Sequence, residues 1–165
     1  MNLRILERKK QLQPACELWE RYSPDRARYS FHSESVREAE SWQVEARAAL
    51  ATKVGLPQFQ AVDLEPQKIE RIDKGDYTRE KITLRTTEHS LMPVYLLLPK
   101  AKKKPLPVVL AFHGHGYGVK DIVGLWEDGK ERGTPQGYHK DFAVALCQAG
   151  FAVAAPEISC FGERQ

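Results

Sequence analysis

The chain is 165 residues long, 42% hydrophobic and 28% charged, with a formal net charge of +3. That length holds one domain, or one domain with an appendage, and the composition excludes a disordered chain. The mild charge excludes a broad nucleic-acid-binding face. The one dense basic cluster, Lys100, Lys102, Lys103 and Lys104, is bracketed by Pro99, Pro105 and Pro107 and reads as a solvated loop. Cys16, Cys147 and Cys160 are too few and too widely spaced for a disulfide framework or a zinc ribbon. The amino terminus lacks the apolar stretch of a secretory signal, and no run of about 18 apolar residues would span a membrane. Neither a nucleic-acid nor a membrane partner is expected, and the expected compartment is the cytoplasm.

Residues 1–60 are expected to form a helical appendage. Pro14 suits the first turn of a short helix carrying Leu18, Trp19 and Tyr22. Ser35-Val-Arg-Glu38 fits a capping box, and Ala39, Trp42, Ala46, Ala49 and Leu50 follow at helical spacing. Gly55 and Pro57 end that helix. Trp19, Tyr22, Tyr29, Phe31 and Trp42 read as packing residues that seat the appendage, in preference to a binding box.

From residue 75 to residue 165 the pattern changes. Residues 80–86 alternate apolar and polar, as a half-buried strand does, and residues 91–98 form a second strand after a turn near His89-Ser90. Pro93 places that second strand at an edge or a bulge. Residues 107–112 and 151–155 are almost continuously apolar, as strands buried on both faces are. Residues 138–149 read as a helix between them, closed by Gly150. The fold class is therefore α/β, an antiparallel hairpin leading into a parallel β-α-β unit.

Residues 114–137, 24 in number, separate the first apolar strand from that helix, against about 2–6 in ordinary strand-to-helix connections. Open α/β sheets place ligand sites in such loops, at the carboxyl ends of parallel strands. The loop opens with His113-Gly114-His115-Gly116-Tyr117-Gly118. Glycines directly after a buried strand let the backbone turn sharply and present its N–H groups, which is what an oxyanion hole requires. Other readings stand beside this one. His113 and His115 lie on one side of an extended chain and could hold zinc in a small metal-dependent hydrolase, given a third ligand. Gly114, Gly116 and Gly118 echo a dinucleotide fingerprint, but no helix opens immediately after them. A plain tight turn would also explain the glycines.

The order hairpin, apolar strand, His-Gly-His-Gly, long loop, helix, then Gly150-Phe-Ala-Val-Ala-Ala-Pro156 and Phe161-Gly-Glu-Arg164, resembles the amino-terminal half of an α/β-hydrolase. The group it is most similar to is dienelactone-hydrolase-like and acetyl-xylan-esterase-like. The resemblance covers residues 75–165 well and residues 1–60 loosely. It implies a partial α/β-hydrolase fold with a helical amino-terminal appendage. It implies a serine carboxylic-ester hydrolase acting on a small ester, with neither metal nor organic cofactor. In that chemistry a serine on a Gly-x-Ser-x-Gly elbow attacks, a histidine is its base, and an acid orients the histidine.

The resemblance further implies that His113, Gly114, His115 and Gly116 are the oxyanion loop. His113 would anchor it, the N–H of His115 or Gly116 would be one donor, and the residue after the nucleophile would supply the other. None of Ser23, Ser30, Ser33, Ser35, Ser41, Ser90 and Ser159 lies in the elbow frame. Ser159 and Cys160 are minor alternatives as nucleophiles, so no catalytic residue is identifiable. The chain is expected to be the amino-terminal part of the enzyme, inactive alone, and to self-associate or bind a complementary chain. The alternative function is a non-catalytic half-sheet module pairing with another chain.

Overall fold

The computed structural model describes residues 12–22, 27–100 and 105–165. Lys102, Lys103, Lys104, Ser23 and the amino-terminal stretch lie outside the described residues. No helix among the described residues is long and apolar enough to cross a membrane. The chain divides into two compact units, Met1–Phe59 and Gln60–Gln165.

In the first unit α1 (Pro14–Arg21) starts at its proline, whose missing N–H costs a helix nothing at that position. Helix α2 (Val36–Lys53) starts at Ser35, whose hydroxyl accepts from the Glu38 N–H at 3.3 Å. The Glu38 carboxylate reaches back to the N–H of Glu34 at 2.9 Å, one residue before the cap. Gly55 ends the helix in the left-handed region, φ 72°. The aromatic residues pair locally. Trp19 stacks on Tyr22, and Phe31 packs edge-on against Trp42, whose Nε1 donates to the Tyr29 carbonyl at 2.9 Å.

The second unit is built on a five-stranded sheet, β1 (Gln67–Asp73), β2 (Tyr77–Thr87), β3 (Ser90–Pro99), β4 (Val108–Leu110) and β5 (Ala152–Pro156), in the order β1-β2-β3-β5-β4. β1, β2 and β3 form an antiparallel meander, β5 runs antiparallel to β3, and β4 runs parallel to β5. Tyr77, Tyr95, Leu97, Ala111, Val153 and Ala155 form one apolar face. It packs under α3 (Phe142–Gln148) and under Val119, Ile122, Val123 and Leu125 of the long loop. The ends of β4 and β5 and the start of the loop therefore meet at one end of the sheet.

Several expectations from sequence need correction. The expected helix over residues 138–149 begins only at Phe142, because Lys140 and Asp141 are left-handed, at φ 48° and 52°. β3 is not an edge strand, being paired on both sides. Pro93 fits there because its carbonyl accepts from the Glu157 N–H at 2.9 Å, which turns its ring nitrogen toward β5 just past the last ladder pair, Val94 with Pro156. The Glu157 carbonyl, which a backbone N–H at 93 would have met, accepts from Arg164 Nη1 at 3.1 Å instead. β4 is shorter than residues 107–112, and Val108, Leu110 and Phe112 are exposed rather than buried, because they lie on the face opposite Ala111, away from the core cluster. β1 was not legible at all.

Candidate functional site

The chain leaves β4 still tied to β5, with the Ala111 N–H donating to the Ala154 carbonyl at 2.9 Å. His113 then turns inward and is 3% exposed. Its Nδ1 faces the Gly114 carbonyl at 3.0 Å and so acts as a donor. Its Nε2 receives the Ile158 N–H at 3.1 Å and lies 2.9 Å from Oε1 of Glu157. Glu157 follows β5 directly and is 1% exposed. Its Oε1 also accepts the Val119 N–H, at 2.9 Å. The residues that end two parallel neighbours thus clasp each other at the root of the loop. The ring of Phe161 stands edge-on to both His113 and His115.

The glycines answer to specific neighbours. A Cβ on Gly114 would come to 3.2 Å from His139 Cε1, and the Gly114 N–H points at His139 Nε2 at 3.3 Å. His139 Nε2 is also 3.0 Å from the His115 carbonyl. Gly116 has φ 145°, and a Cβ there would approach Asp121 Oδ2 at 3.1 Å. A Cβ on Gly118 would come to 2.5 Å from Glu157 Oε1, and one on Gly162 would collide with Oε2. Between these fixed points, Gly114, His115 and Gly116 are exposed. The N–H groups of His115 and Gly116 find no acceptor among the described residues.

The far part of the loop is organised around Arg132, which is buried. Its Nη1 donates to Tyr117 Oη at 2.7 Å and to Asp121 Oδ1 at 2.8 Å, and its Nη2 donates to the Asp121 carbonyl and to Asp141. The Trp126 ring lies against the guanidinium. Burial, with Asp121 adding to it, pushes the Tyr117 phenol above its ordinary range, so it stays a neutral donor to the Leu125 carbonyl at 2.8 Å.

This geometry bears on some of the sequence readings. His113 and His115 both stand against the Phe161 ring, but His113 is buried with both nitrogens on protein partners, while His115 is exposed. Among the described residues no group of three His, Cys, Asp or Glu side chains is placed to hold an ion. Ser159 and Cys160 are exposed, and among the described residues no hydrogen bond joins either side chain to a base. Burial pushes the Cys147 thiol up to about 11, away from thiolate chemistry. Glu157, His139, Asp121, Arg132 and Asp141 were missed. The one local signal was a carboxylate directly after an apolar strand whose end abuts a glycine loop.

A model of the Abhydrolase family matches residues 16–164. The chain belongs to the Abhydrolase family. This Abhydrolase chain is also similar to a solved structure from Bacteroides fragilis NCTC 9343 described as an acetyl xylan esterase, with TM-score 0.68 and 24% identity over 83% of this chain and 35% of that one. A glucuronoyl esterase from Solibacter usitatus gives TM-score 0.41 and 18% identity, over 59% of this chain and 29% of that one. No curated protein matches the Abhydrolase chain. It therefore spans about a third of the length of these structures. The sheet order and the first likeness show a partial α/β-hydrolase fold.

Proposed function

We propose that this chain is the amino-terminal part of a serine carboxylic-ester hydrolase, and that it supplies half of the oxyanion hole. The observation that carries the reading is that His115 and Gly116 are exposed residues whose N–H groups find no acceptor among the described residues, at the carboxyl end of a parallel strand. Backbone donors placed in advance lower the energy of the developing oxyanion without having to reorganise during reaction. The serine, its base and its acid belong to the part of the enzyme beyond these residues. The reaction is acyl transfer to water through a serine ester, without metal or organic cofactor. The substrate class is a small carboxylic ester, in line with the acetyl xylan esterase likeness.

The deciding experiment is a structure of the complete hydrolase after reaction with an organophosphonate. The phosphoryl oxygen should lie about 3 Å from the N–H of His115 or Gly116. An oxygen bound elsewhere overturns the assignment. A second reading, a half-sheet module that pairs with another chain, has its own observation in the exposed apolar residues of β4, Val108 and Leu110.

A further inference from the structure

We propose that Glu157 is the positioning residue of the oxyanion loop, acting through His113 and the Val119 amide; this rests on the oxyanion reading above. A carboxyl group removed from water needs partners for both oxygens, and Glu157 has them for only one. Oε1 takes His113 Nε2 and the Val119 N–H, each at 2.9 Å, while Oε2 is buried and unpartnered. A site selected for stability alone would satisfy both oxygens or hold an apolar side chain.

What the single oxygen achieves is topological. His113 precedes the glycine segment and Val119 follows it, so one atom joins the two ends of the stretch that carries the His115 and Gly116 N–H groups. The rest of the site is cut to fit a carboxylate. Glycine at 118 and at 162 leaves room where any Cβ would strike Oε1 or Oε2. The backbone of Glu157 is fixed on both sides, its N–H to the Pro93 carbonyl at 2.9 Å and its carbonyl to Arg164 Nη1 at 3.1 Å. Since Glu157 extends from β5, in the middle of the sheet, the loop takes its position from the sheet itself. Donors in an oxyanion hole need placement to within about 0.5 Å, which a solvent-exposed glycine run does not provide unaided.

The test is amide hydrogen exchange and amide chemical shift in the purified chain, which contains no ester. In the parent sequence the Val119 N–H should exchange at least about tenfold more slowly than that of Gly116, which has no acceptor among the described residues. Glu157→Gln, with its amide oxygen in the place of Oε1, keeps an acceptor for the Val119 N–H, and should keep both that protection and the His115 and Gly116 amide shifts. Glu157→Ala should lose about tenfold in Val119 protection, the worth of one hydrogen bond, and should move both shifts. The proposal is overturned if Val119 exchanges as fast as Gly116 in the parent sequence, a result that needs no variant to fold. It is also overturned if Glu157→Ala leaves the His115 and Gly116 amides where they were. An adduct oxygen found away from the loop would end the oxyanion reading and leave the exchange result standing by itself.

Discussion

Arg132 and Asp141 are ion-paired inside the protein, and Asp141 holds its half of the pair from a left-handed backbone conformation, φ 52°. A non-glycine residue is kept there only when its surroundings over-determine it. Here the guanidinium also binds Asp121 and Tyr117, so the pair ties the end of the long loop to its beginning. The same contact delays α3, which starts directly after Asp141.

Removing one partner from this cluster should be severe. Arg132→Met leaves Asp121 and Asp141 buried without a cation, and should lower unfolding free energy by about 3–5 kcal/mol. Urea unfolding measures it, and a loss within about 0.5 kcal/mol, the range of an ordinary surface change, would contradict the buried network.

The cradle around Glu157 makes a graded prediction. Gly129 has φ 85° with nothing near its Cβ position, so Gly129→Ala reports backbone strain alone. Gly118→Ala adds a clash with Glu157 Oε1 and should cost about 1–3 kcal/mol more than Gly129→Ala. In the Gly118→Ala/Glu157→Ala pair the clash is gone, so the double variant should be less damaged than the two singles summed. Additive losses in thermal or urea unfolding would show that the carboxylate does not fill that space.

Acid should loosen the sheet edge through Glu131. Burial pushes its carboxyl up, but hydrogen bonds from Arg79, at 2.5 and 3.2 Å, and from Lys74, at 2.9 Å, outweigh burial, and the net displacement is downward. A carboxyl lowered in the folded state contributes stability above its unfolded value, about 4.3, and loses it as pH falls through the folded one. Unfolding free energy should therefore decline below that pH. Glu131→Gln should flatten the decline. Since Glu131 is half exposed, added salt should shrink the effect. An unchanged acid limb in Glu131→Gln would assign the loss to other carboxylates.

Esterase activity in the chain alone should be negligible. Among the described residues no base is hydrogen-bonded to Ser159 or Cys160, and the reading places the nucleophile beyond these residues. Hydrolysis of p-nitrophenyl acetate is the assay. Turnover abolished by Ser159→Ala or Cys160→Ala would promote that residue to nucleophile, and turnover surviving both would contradict the division of the enzyme proposed above.

What was legible in the sequence was what local pattern encodes. The alternation of residues 80–86 placed β2, and Ser35 with Glu38 placed the start of α2 to the residue. The glycine run placed the loop. What was illegible depends on distant contacts. β1 has isoleucine only at 69 and 72, a spacing without strand alternation, because it lies at the sheet edge and needs β2 to define it. Arg79 sat where alternation puts a polar residue facing water, yet it is 2% exposed, because Glu131 arrives from the long loop to pair with it. Glu157 has only a weak local signature, its place directly after an apolar strand. Its meaning is set by His113 and Val119, which precede it by a whole loop and helix.

The last prediction concerns β4. Pro107 and Ala111 bond to β5 through the Pro107 carbonyl and the Ala111 N–H, and Val109 is in register between them. The N–H and carbonyl groups of Val108 and Leu110 consequently point away from β5, along an edge with no strand beyond it among the described residues. The side chains of Val108, Leu110 and Phe112 are 68%, 65% and 58% exposed on the face opposite Ala111. An unpaired edge beside an apolar row is a template for strand addition. The chain by itself should therefore sediment at micromolar concentration as a species larger than its 18.8 kDa monomer. Leu110→Lys places a charge in the apolar row, at a position whose backbone faces the open edge, and should return the chain to a monomer without a large loss of stability, since Leu110 buries little here. A parent chain that sediments as a compact monomer and unfolds cooperatively would show that these residues close their own core, and would remove the case for a partner strand at β4.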